Sequence, residues 1–157
     1  MSSEPTAAPA PGVAGVMDAM AAVGTAYFQD FAAVATRYGL TSVQARTLSL
    51  LREPLPMRGL AERLVCDASN VTGIVDRLEA RGLVRRVPDP ADRRVRTVVA
   101  TDEGHAMIRR VREGMRATRD ALDTLTEDER ATLHALLERL RPATRRGATE
   151  PVRQDAS

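Results

Sequence analysis

Five arginines, Arg85, Arg86, Arg93, Arg94 and Arg96, crowd into residues 85–96 against only two carboxylates, Asp89 and Asp92, which leaves that stretch with a charge of +3. A guanidinium is always charged and presents a planar fork of donors that matches phosphate oxygens and the edge of guanine. Arginines gathered on a turn can grip a phosphate backbone or enter a narrow minor groove. A solvated charged turn is the plainer alternative. Upstream lies a second polar set. On a helical wheel with Val71 and Leu78 turned inward, Ser69, Gly73 and Asp76 point directly away, and Asn70, Thr72 and Arg77 flank them. A short helix with such an outer face suits the major groove, where its side chains can reach base edges. Every surface helix has a polar face, so the helix alone does not decide. Arg58 joins these residues as a candidate DNA contact.

Other chemistries are poorly provided for. No nucleophile is paired with a base, no two carboxylates are set to work together, and no phosphate-binding loop is visible, so an enzyme is not expected. The single cysteine, Cys66, cannot form an intramolecular disulfide. With the distant His105 and His134 it makes a poor metal set, so neither metal nor cofactor is expected. Redox sensitivity of Cys66 stays open.

A chain of 157 residues suits one domain, which at this size buries about two thirds of its unfolded surface without staples. Apolar content of 43% and charged content of 28% are ordinary for a soluble protein. The net charge is only +2, and all 23 basic residues are arginine, most simply through a coding bias toward GC-rich codons. The opening Met1-Ser2-Ser3-Glu4 lacks a basic region ahead of an apolar one, and the uncharged run Ala19–Phe28 is too short to span a bilayer. A cytoplasmic protein with no membrane partner is expected.

The elements follow from periodicity and caps. A first helix is predicted over about 13–38, with Tyr27, Phe31, Val34 and Tyr38 on one stripe and Gly39 as its stop. Thr41-Ser42-Val43-Gln44 has the form of a capping box that opens a second helix, with Val43, Thr47, Leu50 and Leu51 buried and Pro54 beyond its end. Pro56 can open a third helix that presents Met57, Leu60, Ala61 and Leu64. After the turn Val65-Cys66-Asp67, a fourth helix is capped by Asp67 or Ser69, buries Val71, Ile74, Val75 and Leu78, and closes at Gly82. Two helices joined so tightly match helix-turn-helix geometry. The β-prone runs 83–87 and 95–100 then form a hairpin whose tip bears arginines. A long helix over about 101–125 follows, and Thr126-Glu127-Asp128-Glu129 caps a last helix with Leu133, Leu136, Leu137 and Leu140 inward. The fold class is thus mostly α with a small β-hairpin.

Leu60-Ala61-Glu62-Arg63-Leu64, the run from Val71 to Val84, Asp89-Pro90-Ala91-Asp92-Arg93-Arg94 and Thr101-Asp102-Glu103-Gly104 together resemble the MarR family of bacterial regulators. The resemblance is dense from about Leu60 to Gly104 and rests on helix layout elsewhere. It implies a winged helix-turn-helix lobe over about 41–100 and dimerisation helices over about 13–38 and 101–142, in one domain spanning 13–142. Residues 1–12 and 143–157 are expected to be disordered tails. It also implies a homodimer on a double-stranded, pseudo-palindromic DNA operator, and repression relieved by a small molecule. Carried over by position, Asp92 orients the wing, Arg94 enters the minor groove beside Arg93, and Ser69, Asn70, Thr72, Gly73 and Arg77 lie on the recognition helix. Gly73 departs from many relatives, which carry a larger or basic side chain there.

All four aromatic residues, Tyr27, Phe28, Phe31 and Tyr38, fall in the first helix. In relatives the effector pocket lies between the dimerisation helices and the winged lobe, so Tyr27, Phe31 and Tyr38 are candidates to line a pocket for a small aromatic or amphipathic effector. Packing within the core or the dimer is the competing reading. A winged-helix module whose basic face binds an acidic protein partner remains the rival to DNA binding.

Overall fold

The computed structural model describes residues 11–89 and 95–147, the last six as backbone. In chain order its elements are α1 (Val13–Arg37), α2 (Ser42–Leu50), β1 (Leu55–Pro56), α3 (Met57–Leu64), α4 (Ala68–Ala80), β2 (Val84–Pro88), β3 (Arg96–Ala100), α5 (Asp102–Gly114), α6 (Arg116–Asp123) and α7 (Glu127–Gly147). They divide into two compact units, one through Arg116 and one from Ala117.

In the first unit, α1 ends where Gly39 adopts a left-handed φ of 66°. The capping box at Thr41 forms: its hydroxyl accepts from the Gln44 N–H at 3.2 Å, and the Gln44 side chain accepts from the Thr41 N–H at 2.9 Å. The buried stripe of α2 is rotated from the expected one. Gln44, Ala45, Thr47 and Leu48 turn inward with Leu51, while Val43 is exposed and Leu50 only half-buried. The box holds Gln44 against the start of the helix, and the inward set that continues from it is 44, 45, 47 and 48.

Pro56 does not open α3 as its first residue. It is the N-cap, and with Leu55 it forms a two-residue strand against β3, Leu55 opposite Val98 and Pro56 opposite Thr97. The hairpin is therefore part of a three-stranded antiparallel sheet of order β1-β3-β2. Proline lacks an N–H, and an outer strand tolerates that loss.

Helix α3 stops at Val65, whose φ of 54° and ψ of 53° are left-handed, and the Cys66 N–H closes the turn on the Ala61 carbonyl. Asp67 then takes the N-cap position of α4, without a side-chain hydrogen bond, and Ser69 lies inside the helix. At the far end Gly82 has φ 69°, and the Gly82 and Leu83 N–H groups return to Glu79 and Leu78.

The start of α5 is clamped to that turn. The Thr101 hydroxyl donates to the Gly82 carbonyl at 2.6 Å and accepts from the Gly104 N–H at 3.1 Å. A Cβ on Gly104 would lie 2.0 Å from the Leu83 carbonyl oxygen, so this approach requires glycine. The long helix expected over 101–125 is broken at Met115, which has ψ 71° and is buried. Gly114 presses on α1, where its absent Cβ would fall 2.7 Å from Val34 Cγ1. Poor helix propensity at glycine and the inward turn of Met115 together account for the break.

The core of this unit joins Phe31, Val34 and Ala35 of α1 to Leu48, Leu60, Val71, Val75, Leu78, Val84, Val98 and Val111. Burying each leucine stabilises the fold by about 1.5–3 kcal/mol. In the second unit, a capping box at Thr126 opens α7: the Glu129 N–H reaches the Thr126 hydroxyl, and the Glu129 carboxylate accepts from the Thr126 N–H at 2.8 Å. The Thr126 N–H and, at 3.0 Å, the Thr126 hydroxyl both donate to the Glu129 carboxylate, and these two bonds hold that carboxyl below its ordinary pKa. Leu133, Leu136, Leu137 and Leu140, expected to face inward, are exposed in the single chain.

Candidate nucleic-acid interface

Val71, Ile74, Val75 and Leu78 anchor α4 to the core, which fixes what the helix shows outward. Ser69, Asn70, Thr72, Asp76 and Arg77 are exposed and Gly73 is partly so, as the wheel places them. The Thr72 hydroxyl donates to the Ala68 carbonyl at 2.9 Å, which leaves Ser69, Asn70 and Arg77 as the outward groups whose hydrogen-bonding capacity is least engaged. An ideal Cβ on Gly73 would meet nothing within 4 Å.

Arg86 changes the electrostatic picture that the sequence suggests. Its guanidinium lies 2.5 Å from Asp76 Oδ1 and also bonds Glu79 Oε2, while its backbone N–H donates to Glu79 Oε1 at 3.0 Å. Partial burial pulls this guanidinium's pKa down, but the hydrogen bonds and charges of Asp76 and Glu79 outweigh that, and the net shift is upward. Arg86 is thus a strut from β2 to α4 rather than a free cation, and Asp76 is engaged with it. Sequence spacing carried no signal for this pairing, because strand and helix meet only in the fold. A second strut was equally hidden: Arg81 donates to the Gly39 carbonyl at 2.6 Å and the Tyr38 carbonyl at 3.0 Å, tying the end of α4 to the end of α1.

Of the remaining hairpin arginines, Arg85 and Arg96 are exposed. Asp92, Arg93 and Arg94 lie outside the described residues. The strands that lead to them are held at the base, where the Asp89 N–H donates to the Val95 carbonyl at 3.0 Å and the Thr97 hydroxyl to Asp89 Oδ2 at 3.1 Å. Arg58 is exposed on α3 and paired with Glu62 at 3.1 Å.

The three aromatic candidates are not gathered into one pocket. Phe31 is 5% exposed and stacks on Tyr27 with centroids 6.2 Å apart, whereas Tyr27 is 40% exposed and also meets the edge of Phe28. Tyr38 is the exposed C-cap of α1. A shallow cavity of about 240 Å³ is lined by Phe28, Phe31, Ala32, Ser42, Val43 and Arg46, so only Phe31 of the three reaches it. A second cleft, of about 300 Å³, lies between α2 and α5 and is lined by Leu48, Ser49, Arg52, His105, Ile108, Arg109 and Arg112. Sequence reading missed this second cleft, whose arginines come from α5 and from the turn after α2, far apart in the chain. Among the described residues no three His, Cys, Asp or Glu side chains are grouped to hold a metal, and no helix is long and apolar enough to cross a membrane.

The sequence profile of the MarR family matches residues 40–95, from the start of α2 into the wing. The chain is 34% identical over 113 residues to the HTH-type transcriptional regulator PecS of Dickeya dadantii, covering 68% of each chain. It is 42% identical over 71 residues to the HTH-type transcriptional repressor NicR of Pseudomonas putida, a match covering 44% of this chain and 45% of the relative. Among solved structures it is similar to NadR in complex with 4-hydroxyphenylacetate, with a TM-score of 0.62 and 28% identity over 87% of this chain and 97% of the other.

Proposed function

The chain belongs to the MarR family of transcription regulators, which bind DNA, and on that premise we propose that it is a homodimeric repressor that binds a pseudo-palindromic operator and is released by a small molecule. The observation that carries this reading is the outer face of α4, which combines exposed Ser69, Asn70 and Arg77 with a bare Gly73 over a fully buried apolar stripe. Asn70 can bond an adenine edge in two places, and Arg77 a guanine edge or a phosphate. Arg58, Arg85 and Arg96 are assigned to phosphates, Arg93 and Arg94 to the backbone or minor groove at the wing tip, and Asp92 to holding that tip in place. The similarity to NicR, named as a repressor, favours repression, and the similarity to NadR, solved with an aromatic acid, favours an effector.

Helix and wing should fail differently, and that difference is the test. On operator DNA, Arg94→Ala lowers affinity on all sequences and shrinks the slope of log affinity against log salt by about one unit per half-site. Asn70→Ala costs about 1–3 kcal/mol on the operator, relaxes preference at one base position and leaves the slope nearly unchanged. Mobility shifts at several salt concentrations, run beside a scrambled duplex, read both. A folded Arg94→Ala protein with unaltered affinity and slope removes the wing from the interface. Equal loss on operator and scrambled DNA for Asn70→Ala removes α4 as the reader, as expected of a module that binds acidic partners without reading DNA.

A further inference from the structure

We propose that the cleft between α2 and α5 is a binding site for a small organic dianion of the phosphate monoester class; the proposal rests on the reading of this chain as an effector-released regulator and names the chemistry of the effector. The floor is apolar, made by the buried Leu48 and Ile108, and the rim carries Arg52, Arg109 and Arg112 beside His105. No carboxylate lines the cleft among the described residues. Arg58, Arg81, Arg86 and Arg110 of the same unit each have an ion-pair or carbonyl partner. The guanidinium groups of Arg52, Arg109 and Arg112 have neither an ion-pair nor a hydrogen-bond partner among the described residues. Three unpartnered guanidinium groups around one concavity focus a positive potential that a single carboxylate would leave largely unbalanced. A phosphate monoester carries nearly two charges at neutral pH and three acceptor oxygens, and guanidinium groups bond it in pairs. The volume of about 300 Å³ is at the low end for ligand pockets and suits a compact organic group over Leu48 and Ile108.

The position of the cleft gives such a ligand leverage. Helix α5 forms one wall, and its first turn is bonded through Thr101 to Gly82 and Leu83 at the end of α4. A ligand that draws α2 and α5 together or apart bears on the joint between α4 and the wing. DNA phosphate offers the same oxygens, and the experiment separates the two sources.

The full chain is titrated calorimetrically with phenyl phosphate, benzoate and benzyl alcohol, using wild type, Arg109→Gln and Arg112→Gln, with circular dichroism confirming the fold of each variant. Phenyl phosphate is expected to bind about tenfold tighter than benzoate, with no binding of benzyl alcohol, and either substitution to weaken phenyl phosphate by about tenfold. Without ligand, operator affinity of both variants should match wild type. Phenyl phosphate that binds no better than benzoate, or binds the variants equally well, overturns the proposal. Variants that lose operator affinity in the absence of ligand also overturn it, because the arginines then serve DNA phosphates. If phenyl phosphate binds through these arginines yet leaves operator affinity unchanged, the site stands and effector release falls.

Discussion

Gly73 is the position on the outer face of α4 where the fold has no need of the residue it carries. Its backbone is helical, and a Cβ there would meet nothing within 4 Å. Glycine inside a helix costs about 1 kcal/mol relative to alanine, and nothing among the described residues offsets that. The proposed groove supplies the reason, since a bare position lets the helix backbone come close to DNA. Gly73→Ala should therefore raise stability in urea by about 1 kcal/mol while weakening operator binding. Unchanged or tighter binding would make the glycine incidental. At this scale the sequence was legible where a side chain's direction follows from helical period alone, as for Ser69, Asn70 and Arg77. It was not legible for Arg86, whose partners Asp76 and Glu79 sit on another element.

Local chemistry predicts elements well and junctions poorly. The capping boxes at Thr41 and Thr126 could be read directly, because donor and acceptor lie three residues apart. Strand β1 could not, since two residues show no alternation and only β3 holds them in place. The break at Met115 was hidden for a similar reason: Gly114 is a weak signal until Val34 is packed against it. Val65, in the turn between α3 and α4, is a junction under strain, a β-branched residue with φ 54° that is 86% exposed. A left-handed conformation costs a side chain about 1–2 kcal/mol, and glycine escapes most of that. Val65→Gly should raise the urea midpoint, with a net gain of about 1 kcal/mol after the added freedom of the unfolded chain. A lower midpoint would mean that the valine makes contacts which the left-handed turn serves.

For the whole molecule, the apolar residues left in water are the informative ones. Val13, Val16, Met17, Met20, Val23 and Phe28 are exposed along α1, and Leu133, Leu136, Leu137 and Leu140 along α7. Apolar faces of that extent mark interaction surfaces, and a second copy of the chain is the occupant assigned to them by the proposed dimer. Their helical period was readable in the sequence; that no part of the first unit covers the α1 face became clear only once Phe31, Val34 and Ala35 were seen to take the core positions of that helix. A two-fold dimer imposes two-fold symmetry on its DNA, so a footprint tests recognition and assembly together. The most direct measurement is nuclease protection by the purified protein on DNA flanking its own gene, because regulators of this kind often control adjacent genes. Two protected half-sites related by a pseudo-palindrome, with centres about 10 base pairs apart, are expected to survive an excess of scrambled duplex. Protection that spreads evenly along the DNA and disappears with scrambled competitor, or a single unpaired half-site, would contradict this expectation.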